Sequence, residues 1–167
     1  MNVFITGKPG SGKSTLLKQA TDALKAERKK IGGILTPEVR DERGERTGFL
    51  VVDAASGRSG WLAKAEPGEP RVGKYRVMVE EFEGVAIPAI EEAIREKDVI
   101  TIDEIGRMEW FSEKFREAVA RALESGKPVL AVVGEKLVGA FKGKGKVVEV
   151  KRGEASPSTL REILSAV

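Results

Sequence analysis

Gly7-Lys8-Pro9-Gly10-Ser11-Gly12-Lys13-Ser14 fills every fixed position of G-x-x-x-x-G-K-[ST], directly after the short apolar run Val3-Phe4-Ile5. In this pattern the glycines let successive backbone N–H groups converge on phosphate oxygens, the lysine reaches the β- and γ-phosphates, and the serine hydroxyl can ligate Mg²⁺. It works at a strand-to-helix junction, where the helix N-terminus turns its free N–H groups and dipole on the anion. Leu16, Leu17, Ala20, Ala23, Leu24 and Ile31 then recur at helical spacing, so a junction of that kind is expected, with the helix running to about Lys30 and stopping at Gly32-Gly33. A nucleoside di- or triphosphate site is therefore predicted over Gly7, Lys8, Pro9, Gly10, Ser11, Gly12, Lys13, Ser14 and Thr15. Within it Lys8 reads as a solvated charge, and Pro9, which lacks a donor, as a stiffener of the loop.

The chain has 167 residues, 41% of them hydrophobic, which suits one domain with a proper core, spanning 1–167. No apolar run approaches membrane-spanning length, and the N-terminus enters the first strand at once. The expectation is a soluble, cytoplasmic monomer without a membrane partner. Cysteine and histidine are both absent, which excludes disulfides, thiolate zinc sites, cysteine nucleophiles and any mechanism that needs an imidazole. General-base work falls to carboxylates. Asn2 and Gln19 are the only side-chain amides and 33% of residues are charged, a skew that resembles proteins of thermophiles. The net charge of +3 is spread by interleaving, as in Arg40-Asp41-Glu42-Arg43-Gly44-Glu45-Arg46. Lys142-Gly143-Lys144-Gly145-Lys146 is the exception: a basic turn that reads either as plain surface or as a contact to the phosphates of a nucleotide or RNA.

Further along, β-like segments near Ile34–Val39, Gly48–Asp53 and Gly60–Leu62 are joined by turns short enough for antiparallel pairing, which predicts a small β-ribbon inserted beside the main sheet. Tyr75–Val79 alternates as a strand, and Phe82 through Arg95 has helical spacing with Pro88 placed in or before its first turn. Val99–Ile102 and Val129–Val133 are continuous apolar runs, as in parallel strands buried on both faces, and Val147–Val150 is a last strand. Ser112 caps a helix from Glu113 to Ser125, and Ser156-Pro157 opens a terminal one. Alternating strands and helices predict a three-layer α/β/α architecture around a mainly parallel sheet.

Asp103-Glu104 ends the strand Val99–Ile102, at the carboxyl edge where open α/β sheets bind ligands. Asp103 there can hold Mg²⁺ together with Ser14. Glu104 is the candidate to orient an attacking water and take its proton. For the positive group that stabilises the transition state, Arg107 is the first choice and Arg40 the second, while Glu38 and Glu109 are placed at the site edge. Lys13, Glu104 and Arg107 thus form the expected catalytic set.

Thr36-Pro37-Glu38-Val39-Arg40, Gly48-Phe49 with Val52-Asp53, Val72-Gly73-Lys74-Tyr75, Phe82-Glu83 with Ala86-Ile87-Pro88-Ala89-Ile90, and Asp103-Glu104-Ile105-Gly106 with Met108-Glu109 resemble the THEP-type nucleoside-triphosphatases. That family includes the protein called cancer-related nucleoside-triphosphatase. The resemblance covers residues 1 to 125 in order. It implies a P-loop NTPase fold and hydrolysis of ATP, GTP, CTP and UTP to the diphosphate, with Mg²⁺ and little choice among bases. It also implies that Gly7 to Ser14 hold the phosphates, that Asp103 stands on the magnesium side of the bound nucleotide, and that Glu104, Ile105 and Gly106 form a second nucleotide-contacting segment. Arg107 stands where the family more often has Lys, which turns a point donor into a fork. Two other functions share the loop: a small-molecule or nucleotide kinase, and a nucleotide-switched module that binds RNA or protein, whose support is the basic turn.

Overall fold

The computed structural model describes residues 1–153 and 156–167. Its strands are β1 (Val3–Thr6), β2 (Ile31–Leu35), β3 (Glu38–Arg40), β4 (Arg46–Asp53), β5 (Ser59–Lys64), β6 (Arg71–Val72), β7 (Tyr75–Val77), β8 (Val99–Ile105), β9 (Val129–Val133) and β10 (Lys146–Glu149). The helices are α1 (Lys13–Ala26), α2 (Val79–Glu96), α3 (Glu113–Glu124) and α4 (Pro157–Ala166). All strands belong to one sheet, in the order β10-β1-β9-β8-β2-β4-β5-β7-β6, with β3 beside β4. From β10 to β2 neighbours run parallel, and from β2 onward they run antiparallel.

The alternation of side chains across β1 and β9 builds the three layers. Val3, Ile5, Leu130 and Val132 pack with Leu16, Leu17 and Ile163 on the α1/α4 face. Phe4, Val129, Ala131 and Val133 pack with Phe82, Ile90, Phe115 and Val119 on the α2/α3 face. Such double coverage requires strands that are apolar at every position, and β9 is buried throughout. The predicted α/β/α architecture is therefore observed.

Three local expectations are corrected. Helix α1 ends at Ala26, before Lys30. Arg28 takes a left-handed φ of 66°, Lys29 N–H donates to the Leu24 carbonyl at 3.0 Å, and Arg28 N–H donates to that of Lys25 at 2.9 Å, a Schellman cap made without glycine. Gly32 and Gly33 lie inside β2, where a Cβ on Gly33 would stand 1.9 Å from the Thr101 carbonyl oxygen. Gly33 serves close strand packing, Gly32 the close approach of Ala93 and Lys97 at the end of α2, and neither stops a helix. Pro88 sits in the middle of α2. Its ring and the Gly84 carbonyl it leaves without a donor both face solvent, while Phe82, Val85, Ala86, Ala89, Ile90 and Ala93 hold the opposite face in the core.

The antiparallel segments are also placed differently from the expectation. Ile34–Val39 is divided between the end of β2 and β3, with Thr36-Pro37 as the link. The ribbon is a continuation of the main sheet, because β2 pairs parallel with β8 on one edge and antiparallel with β4 on the other. Among the described residues no helix is long and apolar enough to cross a membrane.

Candidate active site

The carboxyl ends of β1, β8 and β2 open onto a cleft of about 1290 Å³, with the loop Gly7–Ser14 along one wall and the Asp103–Glu109 segment along the other. Gly7 has a φ of 154°, and a Cβ there would lie 2.3 Å from the carbonyl oxygen of Val150, the residue after β10, which leaves no room for a side chain. Gly12, with φ of 95°, turns the chain into α1. Lys13 Nζ donates to the carbonyls of Gly7 at 2.6 Å and Lys8 at 3.2 Å, which holds the ammonium over the loop. Gly10, Ser11, Ser14 and Thr15 line the cleft together with Pro9, whereas Lys8 is exposed and faces away.

Ser14 Oγ donates to Asp103 Oδ1 at 3.2 Å, across 89 residues of chain. The two segments singled out in the sequence therefore meet at one point. Strand β8 does not end at the acidic pair. It continues to Ile105 through a bulge in which Asp103 pairs with Val132 and Ile105 with Val133, leaving Glu104 without a partner. Ile105 itself is fully buried in the core, so its side chain packs away from the cleft while Gly106 lines it.

Three carboxyl groups gather here. Burial raises the Asp103 carboxyl above its ordinary range, against the Ser14 hydrogen bond and the Lys13 charge. Burial, then the neighbouring Asp103 charge, raises Glu104, with Lys13 opposing. Glu109 is 3% exposed and pushed well above the ordinary carboxylate range by burial, then by Glu104. A Cβ on Gly106 would stand 3.2 Å from Glu109 Oε1 and 3.3 Å from Glu104 Oε2, so this glycine is what lets the two carboxyls share one corner. Glu109 Oε2 and Ser11 Oγ are buried without a hydrogen-bond partner among the described residues.

These features fit a hydrated divalent cation. The donors are hard oxygens, and Lys13 is the one positive side chain acting on Asp103 and Glu104. No group of three or more His, Cys, Asp or Glu among the described residues could hold a metal. Mg²⁺ characteristically binds through one or two protein oxygens and keeps several waters.

Arg107 is exposed on the cleft rim and makes no hydrogen bond or ion pair among the described residues. Arg40 is instead tied to Glu38 Oε1 at 2.7 Å and to the Gly44 carbonyl at 2.7 Å, outside the cleft lining. Glu38 does line the cleft, as does Arg46, whose Nε donates to the Tyr75 hydroxyl at 2.8 Å. Thr36, quoted above only as part of a family motif, touches the acidic pair directly: its hydroxyl donates to the Asp103 carbonyl at 2.8 Å and accepts from Glu104 N–H at 3.1 Å. The loop Gly134–Leu137 after β9 also lines the cleft, and nothing in its composition announced that.

The basic turn Lys142–Lys146 lies at the other end of the sheet. Lys146 pairs in register with Val3 at the start of β1, and its ammonium bonds Glu162 at 3.1 Å. It stands away from the loop Gly7–Ser14, at the opposite end of β1.

A family model described as NTPase matches residues 2–164. Nucleoside-triphosphatase THEP1 of Pyrococcus abyssi is 43% identical over 166 residues, covering 98% of this chain and 92% of the relative. The crystal structure of THEP1 from the hyperthermophile Aquifex aeolicus superposes with a TM-score of 0.82 at 35% identity, covering 99% of this chain and 98% of the other. The solution structure of a human cancer-related nucleoside triphosphatase gives 0.81 at 33% identity, covering 98% and 95%.

Proposed function

The chain belongs to the NTPase family, and from that premise we propose that it hydrolyses nucleoside triphosphates to the diphosphate and phosphate, with Mg²⁺ and with little selection among ATP, GTP, CTP and UTP. The observation that carries this reading is the 3.2 Å contact between Ser14 Oγ and Asp103 Oδ1. It brings the glycine-rich loop and the acidic pair of β8 together at one point of the cleft.

Backbone N–H groups of Gly7–Ser14 bind the phosphates, and Lys13 leaves its two loop carbonyls to bond their oxygens. Ser14 and Asp103 would hold Mg²⁺. When bound, the ion neutralises charge on the phosphate oxygens. Water attacks the γ-phosphorus, its proton passes to Glu104, and the bond from that phosphorus to the bridging oxygen breaks, leaving the diphosphate. Burial and the Asp103 charge make Glu104 a stronger base than a solvated glutamate. Arg107, unpaired on the rim, is the group to meet charge spreading over the phosphoryl oxygens. Low base selectivity follows if affinity rests on the triphosphate, because backbone N–H groups read phosphates and not bases.

Steady-state turnover of the four common triphosphates, with and without Mg²⁺, tests the proposal. All four should turn over at comparable rates, and chelation of the cation should abolish each of them. Lys13→Ala is expected to lower kcat by about 10²–10³-fold. Glu104→Gln is expected to lower it by about 10²-fold or more while ATP binding is retained. Turnover that required an added nucleoside or sugar hydroxyl would replace hydrolysis with a kinase.

A further inference from the structure

Glu104 sits at the one residue of β8 that the sheet skips. On one side, β9 pairs Val132 with Asp103 and Val133 with Ile105. On the other, β2 ends with Leu35 opposite Asp103. The Asp103 carbonyl and the Glu104 N–H are thus at the point where pairing with β2 ends and pairing with β9 is interrupted, half-buried in the cleft wall. Backbone groups in such a place need partners, and their absence lets the segment move.

Thr36 supplies both partners with one atom. Its Oγ1 donates to the Asp103 carbonyl at 2.8 Å and accepts from Glu104 N–H at 3.1 Å, straddling the peptide that joins the two acids. A hydroxyl has one hydrogen and two acceptor sites, so the clamp uses its donor fully and still leaves a lone pair. As a β-branched residue next to Pro37, Thr36 has few χ1 choices, which makes the clamp stiff. It also lies at the first residue after β2, where the parallel half of the sheet gives way to the antiparallel half.

We infer that Thr36 is a positioning residue for hydrolysis: its hydroxyl sets the direction of Glu104 by completing the hydrogen bonding of the Asp103–Glu104 peptide. This rests on Glu104 taking the proton of the attacking water. Thr36 acts through Glu104 and takes no part in the bond changes.

The test compares Thr36→Val, Thr36→Ser and Glu104→Gln, singly and as Thr36→Val combined with Glu104→Gln, by kcat and KM for ATP, with thermal midpoints recorded for each. Thr36→Val keeps the shape and loses the hydroxyl. It should lower kcat about tenfold or more, which is ~1.4 kcal/mol in the barrier, with KM changed less than about twofold. Thr36→Ser should restore kcat to within about threefold of wild type. In the Glu104→Gln background, Thr36→Val should have no further effect, because the group it positions can no longer accept a proton. Should the valine variant not fold, Thr36→Ala is read in the same way. Wild-type kcat in Thr36→Val, a serine variant as slow as valine, or an undiminished effect of Thr36→Val in the glutamine background would each overturn the inference. Wild-type turnover in Glu104→Gln alone would instead remove the proposed base, and the inference with it, so the two failures are told apart.

Discussion

Glu109 is a buried acid with no cationic partner among the described residues. The residue is 3% exposed, one carboxyl oxygen has no hydrogen-bond partner among the described residues, and the charges acting on it are those of Glu104 and Asp103. A folded-state value above the ordinary 4.5 means that the folded protein binds this proton more tightly than the unfolded chain. The resulting stability is complete below about pH 4.5 and is lost as pH rises through the raised value. Glu109→Gln removes that dependence. The apo variant should be more stable than wild type at pH 8 by about 1–3 kcal/mol, with a flatter thermal midpoint from pH 5 to 8. The remaining slope comes from Asp103 and Glu104, which are raised in the same direction. A variant with the wild-type slope would mean that Glu109 is ionised throughout. The sequence put this residue no closer than the site edge. Its burial depends on the turn Gly106–Phe111 folding back under the cleft, and no spacing rule encodes that.

Among the elements, α2 shows packing outweighing propensity. Proline inside a helix costs about 3 kcal/mol relative to alanine, yet α2 runs unbroken from Val79 to Glu96 around Pro88. Its buried face spans both halves of the sheet, touching β2, β4, β5 and β8. Since Pro88 and Gly84 are exposed, no contact opposes replacement. Pro88→Ala should raise stability by about 1–3 kcal/mol, read as a higher denaturant midpoint at unchanged m-value. A lower midpoint would show that the bend made by proline is needed to fit the sheet. The end of α1 fails as a sequence signal for a related reason. Helix stops are read from glycine, but here Arg28 adopts the left-handed cap, and Gly33, five residues later, is required by the backbone of Thr101.

At the scale of the whole molecule, the sheet separates its two ends. Strands β1 and β8 deliver the glycine-rich loop and the acidic pair to the carboxyl end, whereas the turn holding Lys142 and Lys144 stands at the amino end, where the Lys144 carbonyl accepts from Asn2. Replacing both lysines by Glu should leave triphosphate turnover within about twofold of wild type, since the charges lie beyond the ~10 Å reach of unscreened attraction at moderate salt. A large loss of turnover would place a partner or a long-range charge effect at that end. The strand-to-helix junction at Gly7–Ser14 and the alternation of apolar strands with helices were legible from the chain by itself, because both rest on local rules: glycine spacing over eight residues, and the period of buried side chains. So was the pairing of Ser14 with Asp103, since parallel strands in such a sheet carry their following loops to one edge. Only the tertiary structure decided that β2 joins two kinds of pairing, that Glu104 falls on a bulge held by Thr36, and that Glu109 is buried beside it. Those depend on register and close approach between segments tens of residues apart, and a linear pattern of residue types does not specify which backbone groups will be left for a side chain to complete.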